Sequence, residues 1–538
     1  MILVYKLRQS IFILFILSLS CLVSYYAPTR NVNASSSKAI VSNSSRDLVL
    51  SQPKLSIVSH LERDASFSIA TGGEYQEIKN LYTNGWVFKK SLCINSTTVN
   101  STSIEISKNP DGKEEYVVGV LSRWITGGVI YNAIDLFLIN LTETKIYINS
   151  TEFNTTIEYL GEFTVLAEPG EEKMRIATFD LVWKDTSNIT IAFSRQYLSQ
   201  ISNQLVDCFD VRTTSYNLSN RQWSDQQFTI VSRTLGTVYD TKISIWETTR
   251  EVVVFWLGAE LKLYTGVARS EFVGGFIREN SNCSVNFGGL AVFNSAPKAG
   301  YSSDIIWDYV NNETVVVVAL VSSVQSELAS IVWDGVALSI DASSILTSTQ
   351  LDDFHFPILD FKDPSIVPIN NFSDFIVSFI GYSDYDQYLL YLRGSYDGQA
   401  ISFSESEEDI VMEWGMRESS KTLFIDNTYS DNSSILMWID STAETVIKAM
   451  NVSFNYSLPG FCRGEPLVWV NLSDTISFDA LYTSSENITM VLNSSYSEET
   501  LMNNSIVIVH VSNINGSRNP YIALGLSDVD MDYLGDCE

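Results

Sequence analysis

The sequence predicts an all-β protein, a seven-bladed β-propeller of four-stranded antiparallel blades, with six or eight blades as the neighbouring alternatives. Three observations predict it. From about Leu55 onward, short β-branched and aromatic runs alternate with Asn, Asp, Ser and Gly, and no long stretch carries a capped helical period. One hairpin-like phrase recurs along the chain. A second, shorter phrase beginning aromatic-Asp-Gly recurs downstream of it.

The hairpin phrase is clearest in "FDLVWKDTSNITIAF" from Phe179, "KISIWETTREVVVFW" from Lys242 and "SDIIWDYVNNETVVVVAL" from Ser303. Each has alternating apolar residues ending in Trp183, Trp246 or Trp307, an acidic turn, and a β-branched run suited to burial on both faces. Weaker copies place Ile106, Asp360, Asp426 and Tyr482 at the same point, so the anchors recur about every 63 residues. Self-similarity at a fixed period is the mark of a repeat architecture. An aromatic recurring once per repeat is expected to pack between blades.

The shorter phrase reads "WDGVALSI" at Trp333 and "YDGQAISF" at Tyr396, with "YTGVARSEF" at Tyr264 as a third copy. Asp334 with Gly335 and Asp397 with Gly398 are therefore expected repeat turns, as is Gly266, the glycine supplying a positive φ. They are expected to punctuate the outer strands of adjacent blades. Two hairpins per unit give four strands, which fill about sixty residues. Propellers close by letting a terminal strand complete a blade. "SIVIVHV" (505–511) and "YIALGL" (521–526) stand where such closure needs them.

A Ser-x-Asp-Gly turn in a four-stranded unit of this length resembles the Asp-box repeat of sialidase-like propellers. "GSYDGQAISF", with Ser395, Asp397 and Gly398, carries the resemblance most closely. It departs from the pattern at Gln399 and Phe403, and the copy at Trp333 has Val332 in place of the leading Ser. The resemblance implies a fold and transfers no activity.

The N-terminus places Lys6 and Arg8 ahead of an apolar run from Ile11 to Val23, the layout of a signal peptide over 1–24. Residues 25–54 read as a flexible Ser/Asn-rich lead-in, and 55–538 as the propeller. An uncleaved N-terminal anchor is the alternative, the only route to a membrane span. About twenty Asn-x-Ser/Thr acceptors point the same way, among them Asn95, Asn140, Asn188, Asn312, Asn371, Asn432, Asn487 and Asn515. The expected location is extracellular, secreted or at the cell surface.

With 63 acidic against 34 basic residues the net charge is −29, which disfavours nucleic acid as a partner and favours cations. "SDVDMDYLGD" spaces Asp528, Asp530, Asp532 and Asp536 as oxygen ligands for a calcium ion; the same residues also read as a solvated acidic tail. Beyond the signal five cysteines remain, too few for a disulfide scaffold; a bridge from Cys462 to Cys537 is expected.

No catalytic set converges. His60, His355 and His510 are far apart in sequence, with His510 expected on a strand surface. The arginine cluster and Arg-Ile-Pro phrase that the sialidase resemblance would bring are not visible; the nearest string is "GFIREN" at Arg278. The expected function is an extracellular recognition or surface-structural module, non-enzymatic, for a protein or glycan ligand. A divergent sialidase-like glycan hydrolase is the alternative. Arginines and paired carboxylates around a central channel would favour the hydrolase. "NCSVNFGGLAVFNSAPKAG" and "DFKDPSIVPINNFSD" are the segments expected to reach a ligand.

Overall fold

The computed structural model describes residues 86–527 apart from short connecting segments, the longest being 287–301 and 492–503. Its described strands form six sheets, one of four strands, one of eight and four of five; dividing the eight-stranded sheet at its bend, we label the antiparallel groups I to VII in chain order and give four strands of each. Unit I comprises Ser101–Lys108, Glu115–Thr126, Val129–Tyr147 and Phe153–Val165. Unit II comprises Glu171–Asp185, Asn188–Ile201, Gln204–Asn217 and the first part of Phe228–Trp246. That last strand bends near Gly236, and its second part opens unit III, followed by Glu251–Tyr264, Val267–Arg278 and Ser281–Asn286. Unit IV runs Ser302–Asp308, Glu313–Val321, Ser326–Trp333 and Leu338–Ser339. Unit V runs Asp360–Ile369, Asp374–Tyr382, Gln387–Tyr396 and Ile401–Phe403. Unit VI runs Thr422–Asp426, Ser433–Asp440, Val446–Phe454 and Phe461–Arg463. Unit VII runs Thr475–Ser484, Asn504–Ile514, Ser517–Ser527 and, outermost, Trp86–Cys93.

The core lies between the units. Val315, Val317 and Ala319 pack with Phe361, Phe375 and Val377 of unit V. Val316, Val318 and Leu320 of the same strand pack with Phe255, Phe272 and Phe276 of unit III. Period-two alternation thus sends successive side chains of one strand into two different interfaces. This is why "TVVVVALV" is apolar throughout. The same layering joins I to II, II to III, V to VI and VI to VII, and Ile104 and Val118 of I meet Val507 and Leu524 of VII. The chain is therefore an all-β propeller, its sheets packed face to face around a ring.

Several expectations shift in detail. Closure is made by the N-terminal strand Trp86–Cys93, which pairs with Ser517–Ser527, while the strands expected to close the ring are the middle pair of unit VII. "ITMVL" does not follow Tyr482 as its hairpin partner; Thr489–Val491 instead pairs in parallel with Lys145–Tyr147 of unit I. Asp360 opens its strand instead of ending it; Pro368, opposite Phe375, occupies the place that Trp307 holds opposite Thr314. With the anchor at Pro368 the adjoining steps become about 61 and 58 residues, and proline hid the position because it is a poor match to an aromatic anchor.

Asp334–Gly335 and Asp397–Gly398 do sit in equivalent places, but each joins the third strand to the outermost strand of one unit, not two adjacent units. In both, the Asp carboxylate accepts the two following free N–H groups, from Val336 and Ala337 or from Gln399 and Ala400. Gly335 and Gly398 have φ of 92° and 93°. Gly266 itself lies outside the described residues, but the strands on either side of it, Glu251–Tyr264 and Val267–Arg278, pair as a hairpin at the opposite end of the sheet from the two Asp-Gly turns.

Alanine at Gly398 meets nothing within 4 Å, so Gly398→Ala is expected to cost only backbone strain, about 1 kcal/mol. At Gly335 a Cβ would stand 2.8 Å from Arg278 Nη2 and 2.8 Å from a Trp246 ring carbon. Gly335→Ala should therefore cost about 1–3 kcal/mol more, read as a larger drop in denaturation midpoint. Equal midpoints would show that this contact carries no load.

Candidate functional site

The innermost strands surround a central cavity of about 410 Å³. Its lining runs from the beginnings of these strands, at Thr102, Ser103, Ser302 and Ser303, to their middles, at Asp180 and Lys242. Six carboxylates line it: Glu105, Asp180, Asp240, Asp304, Asp363 and Asp479. One ammonium, Lys242, faces them, and among the described residues the lining contains no arginine.

Four of these carboxylates tie the ring together. Asp479 Oδ2 accepts the Ile106 N–H at 2.9 Å, and Asp180 Oδ2 accepts that of Ile243 at 3.0 Å. Asp240 Oδ2 accepts from Ser303 N at 2.7 Å, and Asp304 Oδ2 accepts from Ile366 N at 2.9 Å. In each case the other oxygen accepts the N–H of the following residue at 2.8 or 2.9 Å. An inner strand has no neighbour on its channel side, so its backbone donors need a partner there. The aspartate of the preceding unit supplies it. Between units I and II, Ser107 Oγ takes this part for Trp183 N, and between IV and V Ser302 Oγ does so for Asp363 N.

Burial raises the carboxyl of Asp180 to about 6, against the opposing pull of Lys242 and of its backbone donors. Burial raises Asp304 as well. Burial alone would lower Lys242, but Asp240, Glu105, Asp180 and Asp304 outweigh it and hold the ammonium well above its ordinary value. On the upper part of unit I, Asp135 is also raised to about 6, by burial and by Glu162, its cross-strand neighbour.

A carboxyl raised in the folded state binds its proton more tightly there than in the unfolded chain. Its contribution to stability is full below the unfolded value of 3.8 and is lost as pH rises through about 6. The wild-type melting temperature is accordingly expected to rise on acidification from pH 7.5 to 5. Lys242→Met should be destabilising by about 3 kcal/mol at pH 7.5, because it strands carboxylates that the ammonium balances. The deficit should shrink at pH 5 as those groups protonate. A deficit independent of pH would contradict the electrostatic account.

The aromatic anchors pack between units as expected. Trp246 Nε1 donates to Thr314 Oγ1 of unit IV at 2.6 Å, and its ring lies under the Arg278 guanidinium at 4.1 Å. Arg278 is thus a packing residue paired with Glu251. His510 is fully buried, not on an exposed strand face; it stacks on Tyr521 and bonds Ser512 Oγ, and burial lowers its pKa to about 3.

Of the glycan acceptors, Asn312 and Asn371 are exposed in first-to-second-strand turns, whereas Asn140 and Asn188 are half-buried and hydrogen-bonded to Glu115 and Asp185. Asn95, Asn432, Asn487 and Asn515 lie outside the described residues, as do Asp528, Asp530, Asp532, Asp536 and Cys537. Cys462 is disulfide-bonded. Among the described residues no three His, Cys, Asp or Glu side chains form a metal-binding group. Of the two segments singled out for ligand contact, one supplies Asp363, Pro364 and Ser365 to the cavity; most of the other is not described.

Three of the channel carboxylates hold one fixed place in the repeat. Asp180, Asp304 and Asp479 each stand three residues before Trp183, Trp307 and Tyr482.

The fold and channel define the class: a β-propeller with an acidic central cavity. No family model and no curated protein matches the chain. Among solved structures it is similar to the NanB sialidase of Streptococcus pneumoniae, at 9% identity and TM-score 0.37, covering 85% of this chain and 72% of that one. A leech intramolecular trans-sialidase shows 9% identity and TM-score 0.35, over 82% and 70% of the two chains. The β-propeller domain of the Trilobed protease from Pyrococcus furiosus shows 9% identity and TM-score 0.31, over 82% and 99%. Likeness at this level transfers no residue and no activity.

Proposed function

We propose that this chain is a secreted, N-glycosylated propeller of seven blades that recognises neutral or amine-bearing glycans in its central channel. The observation that carries the reading is the lining of the cavity, which among the described residues holds six carboxylates, one lysine and no arginine. Carboxylates accept hydrogen bonds from sugar hydroxyls and attract ammonium groups, and they repel an anionic sugar. A cavity near 410 Å³ is in the range of small-ligand sites. Recognition is favoured over turnover because Asp180, Asp240, Asp304 and Asp479 spend their oxygens on backbone donors. The signal-like N-terminus and the many acceptor sites support export and glycosylation. The closed cycle of interfaces from I to VII and back to I supports the blade number.

Glycan hydrolysis is the second reading. One observation favours it: Asp180 keeps its proton up to about pH 6 beside other carboxylates, which is the acid that glycoside cleavage needs.

The test is a panel of labelled mannose, glucose, N-acetylglucosamine and glucosamine oligomers with sialyl-lactose as the anionic member, scored for binding and for released sugar at pH 5 and 7. Binding of neutral or amine-bearing members without release is expected. Preference for sialyl-lactose overturns the charge argument, and released sugar establishes the second reading.

A further inference from the structure

In an up-and-down sheet the first-to-second and third-to-fourth turns share one end, and the second-to-third hairpins lie at the other. Because the inner strands line one channel in one direction, these ends become two faces of the ring. The described acceptors Asn188, Asn312 and Asn371 lie at first-to-second turns, and Asn217 at a third-to-fourth turn. In chain order Asn149, Asn432 and Asn455 fall between strands joined in the same two ways. In chain order, the acceptors in second-to-third hairpins and in connections from one unit to the next are Asn95, Asn100, Asn471 and Asn515, all between the end of unit VI and the start of unit I. The sequence of the corresponding connections of units I to V contains no acceptor.

That bare sector is also the built-up one. The second-to-third hairpins of units I and III continue four residue pairs beyond the start of the inner strand, about 13 Å of extra height. The corresponding hairpin of unit V ends level with its inner strand. At the tip in unit I, Trp124 and Tyr131 stack with centroids 5.7 Å apart and planes 8° from parallel. Ile125, Ile201, Leu205 and Leu261 are exposed along the same rim. The acidic cavity reaches the beginnings of the inner strands on this face, at Thr102, Ser103, Ser302 and Ser303.

From this placement we propose that the hairpin face of units I to V is the docking face for an extended neutral glycan chain, while the opposite face is covered by the protein's own glycans. The proposal rests on the glycan-recognition reading above and adds where the polymer lies and what holds it outside the cavity. Flat paired rings match the apolar C–H faces of sugar rings, and the unglycosylated rim leaves a path across them to the acidic cavity.

The test is a glycan wedge in the full chain expressed in a secretory host. Gln200→Asn creates an acceptor ahead of Ser202 beside the unit II hairpin tip, and Glu247→Asn creates one ahead of Thr249 on the opposite face; both residues are exposed. The probes are the mannose, glucose and N-acetylglucosamine hexamers and their monosaccharides, with site occupancy read by mass spectrometry. The glycosylated Gln200→Asn protein should lose at least tenfold in hexamer affinity and regain it on enzymatic deglycosylation, with Glu247→Asn unchanged. Trp124→Ala should weaken the hexamer and leave the monosaccharide as it was. Equal effects of the two wedges, or equal loss of hexamer and monosaccharide in Trp124→Ala, overturn the docking face. Native occupancy at Asn515 and Asn471 but not at Asn188, Asn312 and Asn371 overturns the covered face. Failure of every sugar to bind the wild-type protein, or capture of a protein partner there instead, overturns the glycan reading itself.

Discussion

Arg195→Ala is expected to destabilise the protein by about 3–5 kcal/mol, among the largest effects of any single substitution. Arg195 is 1% exposed, and the two carboxylates it holds, Glu171 and Asp210, are each 2% exposed. Nε donates to Asp210 Oδ1 at 2.9 Å, while Nη1 and Nη2 reach Glu171 at 3.1 Å each. Removing the guanidinium leaves two buried negative charges, with Arg212, 3.0 Å from Asp210, as the remaining cation in hydrogen-bond reach among the described residues. Desolvation makes such an unpaired charge costly, whereas the intact cluster is close to neutral in net contribution. Arg195→Lys keeps one charge but loses the forked geometry and should fall between. Urea denaturation midpoints at constant m-value measure both. A loss under 1 kcal/mol for Arg195→Ala would mean that water reaches the cluster.

Trp333→Ala should cost a similar amount, about 3–5 kcal/mol, for a different reason. Trp333 is wholly buried, with Phe276 at 5.1 Å and Trp246 at 6.2 Å between ring centroids, both from the neighbouring unit III. Its Nε1 makes no hydrogen bond, so the loss is packing and cavity. Trp333→Phe should therefore recover most of the stability, a result a lost polar contact could not give. Calorimetric melting temperatures of the pair decide this. If phenylalanine is as damaging as alanine, the indole volume itself is required.

Much of the ring was legible in the residues. The repeat period, the doubly buried "TVVVVALV" run and the aromatic anchors follow from period-two alternation, which a sequence displays directly. The Asp-Gly turns were legible because a positive φ restricts the residue that can occupy it. Gly266 misled for the same reason: a glycine marks a turn but not which end of the sheet the turn occupies. Closure was misplaced because Trp86–Cys93 and the strands of unit VII are both apolar enough to pair, and sequence order does not record which edge is left open. The site was less legible still. Asp180, Asp240, Asp304 and Asp479 look like ordinary turn-flanking acids until the inner strands are set around one axis.

By itself, then, the sequence determined the element type, the repeat and the residues that punctuate it, because each depends on local conformational preference and a two-residue period. Only the tertiary structure decided that the N-terminal strand completes the last unit, that Lys242 faces carboxylates contributed by several units, and that acceptor sites separate by face. Those facts depend on contacts between residues about sixty or several hundred positions apart, such as Asp240 with Ser303 or Asp479 with Ile106. No local preference encodes them; closing the ring does.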